Sequence, residues 1–255
     1  MVAHSFESLN SLPEPGGFEP GRLELFCSES KVTQVPAESS IELSELKEKL
    51  LVMAGYAETA VNRAVKALIR RDDDLARRTR EEDDLIDALE LEIDRIALRL
   101  LERRPGGVEL RFITMAMKIS SNLERVGDEA TTISRRVTEL SQEPQLRQAA
   151  EVPRMAMLAV PMLKEALDAF VQGDSAKARL VIPRDEEVDA LNARMHAELA
   201  ALMAQRPSAI GRCLNLMVIC KSLERIGDHA TNVAEEVVYL YEGRDIRHLD
   251  ASSNP

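Results

Sequence analysis

From Leu43 onward the apolar positions fall at threes and fours: Leu43, Leu46, Leu50, Met53, Ala57, Val61, Ala64 and Leu68. That spacing marks a helix with one buried stripe and predicts a first helix from about Ser44 to Arg71. Asp72 to Asp74 supply a turn and an N-cap. A second helix is expected to follow to Arg104, with Leu85, Ile86, Leu89, Ile93, Ile96 and Leu100 on its inner face. Pro105-Gly106-Gly107 ends it, and a third helix runs from about Val108 to Leu140. The pattern then starts again, with helices expected over 152–172, 174–206 and 208–242. Short connections between long helices force antiparallel neighbours. The expected fold is all-α: two tandem three-helix bundles over 41–145 and 150–248. Residues 1–40 lack a sustained helical period and carry four prolines, so they read as a disordered extension, with Leu23, Leu25 and Phe26 as a small apolar cluster. Residues 249–255 read as a flexible tail. Pro161 and Pro183 fall inside predicted helices, where each should kink or interrupt the helix at about 3 kcal/mol.

The two bundles are copies. Leu123-Glu-Arg-Val-Gly-Asp128 recurs as Leu223-Glu-Arg-Ile-Gly-Asp228, and Asp87-Ala-Leu-Glu followed by Arg104-Pro105 recurs as Asp189-Ala-Leu-Asn followed by Arg206-Pro207. Self-similarity at this period identifies one helical unit used twice.

Composition narrows the function. A net charge of -11 disfavours nucleic acid, which needs a clustered positive surface. Cys27, Cys213 and Cys220 are too few and badly spaced for a disulfide framework or a zinc ribbon. No secretory signal is expected and no apolar run is long enough for a membrane span, so a cytoplasmic location is expected.

The chemistry lies in the carboxylates. Glu124 and Asp128, like Glu224 and Asp228, are four residues apart and share a helix face, as do Asp83 with Asp87 and Asp185 with Asp189. Like charges at that spacing destabilise a helix by a few tenths of a kcal/mol. Antiparallel second and third helices would gather four carboxylates per bundle, a hard-oxygen set suited to magnesium or manganese, or to iron or zinc bridged by carboxylates. Gly127 and Gly227 cost about 1 kcal/mol against Ala inside a helix and imply close approach of a neighbour. Arg125 and Arg225 lie within reach of Asp128 and Asp228. Asn232 and His229 are candidate accessory donors. With no nucleophile beside a base, no Gly-rich phosphate loop and no Glu-x-x-His pairing in the chain, an enzyme is not expected.

The twin Leu-Glu-Arg-(Val/Ile)-Gly-Asp motifs, the two Asp-x-x-x-Asp pairs, the basic-Pro turn before each third helix and the ending Val237-Val-Tyr-Leu-Tyr-Glu-Gly-Arg-Asp-Ile-Arg-His248 resemble the PhoU family over residues 41–248. That resemblance implies tandem three-helix bundles holding metal at Asp83, Asp87, Glu124 and Asp128 and at Asp185, Asp189, Glu224 and Asp228. It also implies a homodimeric negative regulator of phosphate uptake and starvation signalling. Its partners would be the ATPase subunit of the phosphate ABC transporter and a sensor histidine kinase. Two rivals stand beside it: a carboxylate-bridged metal-storage or redox bundle, and an adaptor whose acidic faces dock a basic partner without metal.

Overall fold

The computed structural model describes residues 37–247, with side chains from Ile41, and every regular element among them is helical. The first unit comprises α1 (Ala37–Arg70), α2 (Asp73–Glu81), α3 (Asp83–Glu102) and α4 (Gly107–Ser141). A 3-10 turn, Arg147–Glu151, leads into α5 (Val152–Gln172) and α6 (Ser175–Val181). A second such turn, Ile182–Arg184, precedes α7 (Asp185–Gln205), and a third, Pro207–Ala209, precedes α8 (Ile210–Glu242). The expectations for residues 1–36, including Leu23, Leu25, Phe26 and Cys27, and for the tail 249–255 lie outside the described residues. Helix α1 begins before the expected boundary. Glu38, Ser39, Ser40 and Glu42 in its leading turns are polar and Ile41 is exposed, and a nucleated helix propagates through such residues without a buried apolar stripe.

The second helix of each unit is two helices, not one. In the first unit the break falls at Glu82, between α2 and α3; in the second it is the turn carrying Pro183. A proline is therefore not its common cause. Each break is tied to its unit's first helix by an ion pair of reversed polarity: Arg63 with Glu82 in the first unit, Glu165 with Arg184 (2.7 Å) in the second. The acidic residues Asp83, Asp84, Asp185, Glu186 and Glu187 thereby become first-turn residues of new helices, where the unpaired N–H groups favour negative charge. Pro161 lies within α5, which runs through it unbroken. Leu85 is 45% exposed, because it sits about 100° around the helix from Ile86, on which the buried stripe is centred.

The turns between first and second helices use one backbone design with different residues. Arg71 (φ 54) and Gly173 (φ 68) both adopt the left-handed conformation. Asp72 N–H then donates to Ala67 O, and Asp174 N–H to Ala169 O, each at 3.0 Å, which closes both helices in the same way. The Asp72 and Asp174 side chains cap the next helix by accepting from the Leu75 and Lys177 amides, each at 2.9 Å.

The bundles lie side by side rather than as separate cores in a row. Helices α4 and α8 pair antiparallel, with Lys118 against Glu236 (3.1 Å), Asn122 against His229 (3.0 Å) and Glu129 against Arg225 (3.0 Å) along the seam. α8 therefore faces α5, α6 and α7 on one side and α4 on the other. It is buried accordingly on more than one face: the stripe of Leu223, Ile226, Ala230 and Val233 is flanked on one side by Ser222 and Glu236 and on the other by Cys220, Glu224 and Val238, all buried. One continuous hydrophobic core spans both bundles. Cys213 and Cys220 are buried in it as free thiols, and burial pushes Cys220 up to about 12, so it packs as an inert small apolar side chain.

Candidate functional site

Each unit brings its predicted carboxylates together where the second-helix break meets the middle of the third helix. The glycines are what let them approach. A Cβ on Gly127 would lie 2.9 Å from Asp83 Oδ1 and 2.9 Å from Ile86 Cδ1, and one on Gly227 would lie 3.0 Å from Asp185 Oδ1.

In the second unit, carboxylate oxygens of Asp189, Glu224 and Asp228 all lie within 4.8 Å of one another. Asp185 joins them: its carboxyl is pushed up to about 7, first by burial and then by the charges of Asp228, Asp189 and Glu224. Asp228 is raised as well, by burial and then by Glu224. Glu224 is only 8% exposed. One of its oxygens accepts from Lys221 Nζ at 2.5 Å, while Oε2 is buried without a hydrogen-bond partner, as are Asp185 Oδ1 and Asn192 Oδ1. Unsatisfied buried oxygens cost about 1–3 kcal/mol each, more when charged.

The first unit gathers Asp83, Asp87, Glu124 and Asp128 less tightly and adds Glu90. Burial is the largest cause of the raised carboxyls of Asp83, Asp87, Glu90 and Glu124, and repulsion among the cluster adds to it. The Thr131 hydroxyl beside Asp83 favours its ionised form and so opposes part of the rise. Arg125 sits on Glu124 (3.3 Å) and Asp128 (3.6 Å).

Three residues were missed in the sequence reading. Glu90 and Asn192 hold the same repeat position, seven after Asp83 and Asp185, a spacing that keeps them on the carboxylate face. Lys221, with no basic counterpart at Ser121, carries no signal short of the folded geometry. Two candidate donors are elsewhere. Asn232 donates to Asn122 Oδ1 (3.2 Å) and His229 Nδ1 contacts the same oxygen (3.0 Å), both across the α4–α8 seam. Arg225, expected on Asp228, pairs with Glu129 instead.

The reason is a single asymmetry along that seam. Arg225 faces Glu129, but at the equivalent place Arg125 faces His229. Burial lowers the pKa of His229 more than Glu129 raises it, so the ring is neutral near pH 7. Arg125, offered no anion across the seam, folds back onto its own carboxylates. Beside it, a groove of about 510 Å³ opens between α4 and α8, with Arg125, Arg135, Arg225, Glu129 and His229 among its lining.

The molecule so far described is a duplicated three-helix bundle with one carboxylate cluster per copy. The PhoU domain model matches it twice, over residues 50–137 and 152–237. The chain belongs to the PhoU family. It is 40% identical over 223 residues to the phosphate-specific transport system accessory protein PhoU homolog of Pseudomonas aeruginosa, covering 87% of this chain and 92% of that one. It is 39% identical to the homolog of the same name from Caulobacter vibrioides, covering 80% and 90%. The crystal structure of PhoU from Pseudomonas aeruginosa superposes with a TM-score of 0.78 at 41% identity, over 80% of this chain and 99% of that one. The phosphate transport system regulatory protein PhoU from Streptococcus pneumoniae does so at 0.74 and 28% identity, over 82% and 99%. These relatives are accessory and regulatory proteins, not members of a known enzyme class. Among the described residues no helix is long and apolar enough to cross a membrane.

Proposed function

We propose that this protein is a cytoplasmic negative regulator of phosphate uptake and phosphate-starvation signalling. It works as a dimer, coupling the ATPase subunit of a phosphate ABC transporter to a sensor histidine kinase, with divalent cations held in both carboxylate clusters. The observation that carries this reading is the recurrence of the same acidic cluster in both PhoU-domain copies. The second cluster fits a cation on its own geometry. At metal–oxygen distances of about 2.1 Å, opposed ligands stand roughly 4.2 Å apart, so the 4.8 Å set of Asp189, Glu224 and Asp228 needs little closure. Glu224 also has a partnerless buried oxygen, and those of Asp185 and Asn192 would add further ligands. A bound magnesium or manganese ion would neutralise the clustered charge. Asp185 and Asp189 start α7 while Glu224 and Asp228 lie mid-way along α8, so the four residues hold those helices in one register and fix the surface offered to the partners.

The test is alkaline phosphatase output in phosphate-rich medium, in a strain lacking its own PhoU. Complementation with this chain should repress the output. The Asp87→Ala, Asp128→Ala, Asp189→Ala, Asp228→Ala variant, expressed equally and folded, should not. Repression by both would remove the carboxylates from the mechanism, and repression by neither would remove the regulatory reading.

A further inference from the structure

A further polar groove lies away from both carboxylate clusters, where the linker after α4 passes over the turn between α7 and α8. The cavity there is about 460 Å³, with Arg147, Arg206, Arg212, Gln145, Gln148 and Gln205 in its wall. No carboxylate lines it, although the chain carries a net charge of -11. Local charge therefore runs against the global charge, the arrangement that draws in an anion.

The walls are fixed by Arg212. Its Nη1 donates to Pro144 O at 2.9 Å and its Nη2 to Ser208 O at 3.3 Å, and its Nε lies 3.1 Å from Glu143 Oε2. The guanidinium thus stitches the linker to the turn and occupies the nearby acid. Arg147 and Arg206 are exposed, and among the described residues neither side chain makes a hydrogen bond or ion pair. Two uncommitted planar guanidinium groups, each able to bind an oxyanion bidentately, stand beside three carboxamides with N–H donors.

The geometry points to an anion carrying more than one phosphoryl group. The groove is open to solvent along one side, and its roughly 460 Å³ is more room than a single tetrahedral oxyanion fills. Leu146 and Leu202 supply its apolar portion and no aromatic side chain lines it, so stacking of a nucleobase has no platform. The ligand is recognised through its phosphate chain, whether inorganic pyrophosphate or the phosphates of an organic ester. This inference goes beyond the regulatory proposal and stands on the groove alone.

The experiment is calorimetric titration of the full chain, stripped of divalent cations, with pyrophosphate, ADP, orthophosphate and sulfate at low ionic strength. Pyrophosphate is expected to bind more tightly than orthophosphate or sulfate. Arg147→Ala and Arg206→Ala should each weaken it about tenfold or more, as expected for loss of a charge-assisted contact. Both side chains are exposed, so the variants should keep the parent melting temperature. Asp189→Ala should bind pyrophosphate as the parent does. ADP binding equal to pyrophosphate identifies the phosphates alone as the ligand, and tighter ADP binding identifies an organic ester. Absence of pyrophosphate binding, binding undiminished in both arginine variants, loss in Asp189→Ala, or orthophosphate or sulfate binding equal to pyrophosphate would each overturn the proposal.

Discussion

The two carboxylate clusters descend from one motif, yet they are not equally ready for a cation. In the second, three carboxylates converge within 4.8 Å and the local arginine is drawn away to Glu129. In the first, the equivalent arginine lies on Glu124 and Asp128, and a fifth carboxylate, Glu90, replaces the neutral Asn192. The placement of the arginine is decided outside both clusters, by Glu129 opposite Arg225 in one copy and His229 opposite Arg125 in the other. A duplicated site can therefore diverge through its neighbours while its four carboxylates stay fixed.

The largest expected effect breaks the comparison at the carboxylates. Asp228→Ala should weaken the tighter phase of manganese binding, followed by calorimetry, by roughly 100-fold, about 2.7 kcal/mol, whereas Asp128→Ala should act on the weaker phase. Equal effects of both variants on one phase would show that the clusters are equivalent. His229→Glu sharpens the same point: an anion facing Arg125 should draw it off Glu124 and Asp128, and the weaker phase should tighten severalfold.

The glycines come next. Gly127→Ala must push against buried Ile86 as well as Asp83, and overpacking costs about 1–3 kcal/mol against about 1 kcal/mol gained in helix propensity. At Gly227 the added methyl meets a movable carboxylate oxygen, with Val188 at an ordinary 3.7 Å. Urea unfolding should show Gly127→Ala destabilised by about 1 kcal/mol and Gly227→Ala near neutral.

The pH dependence of the metal-free protein separates the clusters again. Asp185 rises from an ordinary 3.8 to about 7 on folding. Its contribution to stability is therefore full below about pH 4 and is lost as pH rises through about 7. The melting temperature should fall between pH 5 and 8 by on the order of a few degrees, since the carboxyl keeps partial contact with water and solvent screens the charges around it. Asp185→Asn should flatten that slope and Asp83→Asn should flatten it less. A profile unchanged by Asp185→Asn would remove this group as its source.

Much of this architecture was legible in the sequence, for a physical reason. The carboxylates, the glycines and the Arg-Pro turns are repeated residue types, and repetition turns weak local signals into a pattern. The break at Glu82 was not legible, because an acidic run reads as a solvated helix face until a partner helix tilts the chain. The α4–α8 seam was equally hidden. Its contacts, among them Asn122 with His229 and Glu129 with Arg225, join residues about a hundred apart that do not match across the repeat. Asn232 and His229 were misplaced for the same reason: their partners are on the other bundle.

The smallest effect tests whether the two breaks are truly the same device. Arg63 with Glu82 and Glu165 with Arg184 exchange charge between positions that correspond across the repeat. All four side chains keep partial solvent contact, so each pair should contribute no more than about 1 kcal/mol. A double-mutant cycle on each pair, read by urea unfolding, should give similar coupling energies of a few tenths of a kcal/mol. The reversed pair Arg63→Glu with Glu82→Arg should restore most of the stability that either single change removes. If reversal fails in the first unit, charge pairing is not what holds Glu82, and the break there has a different origin from the one that carries Pro183.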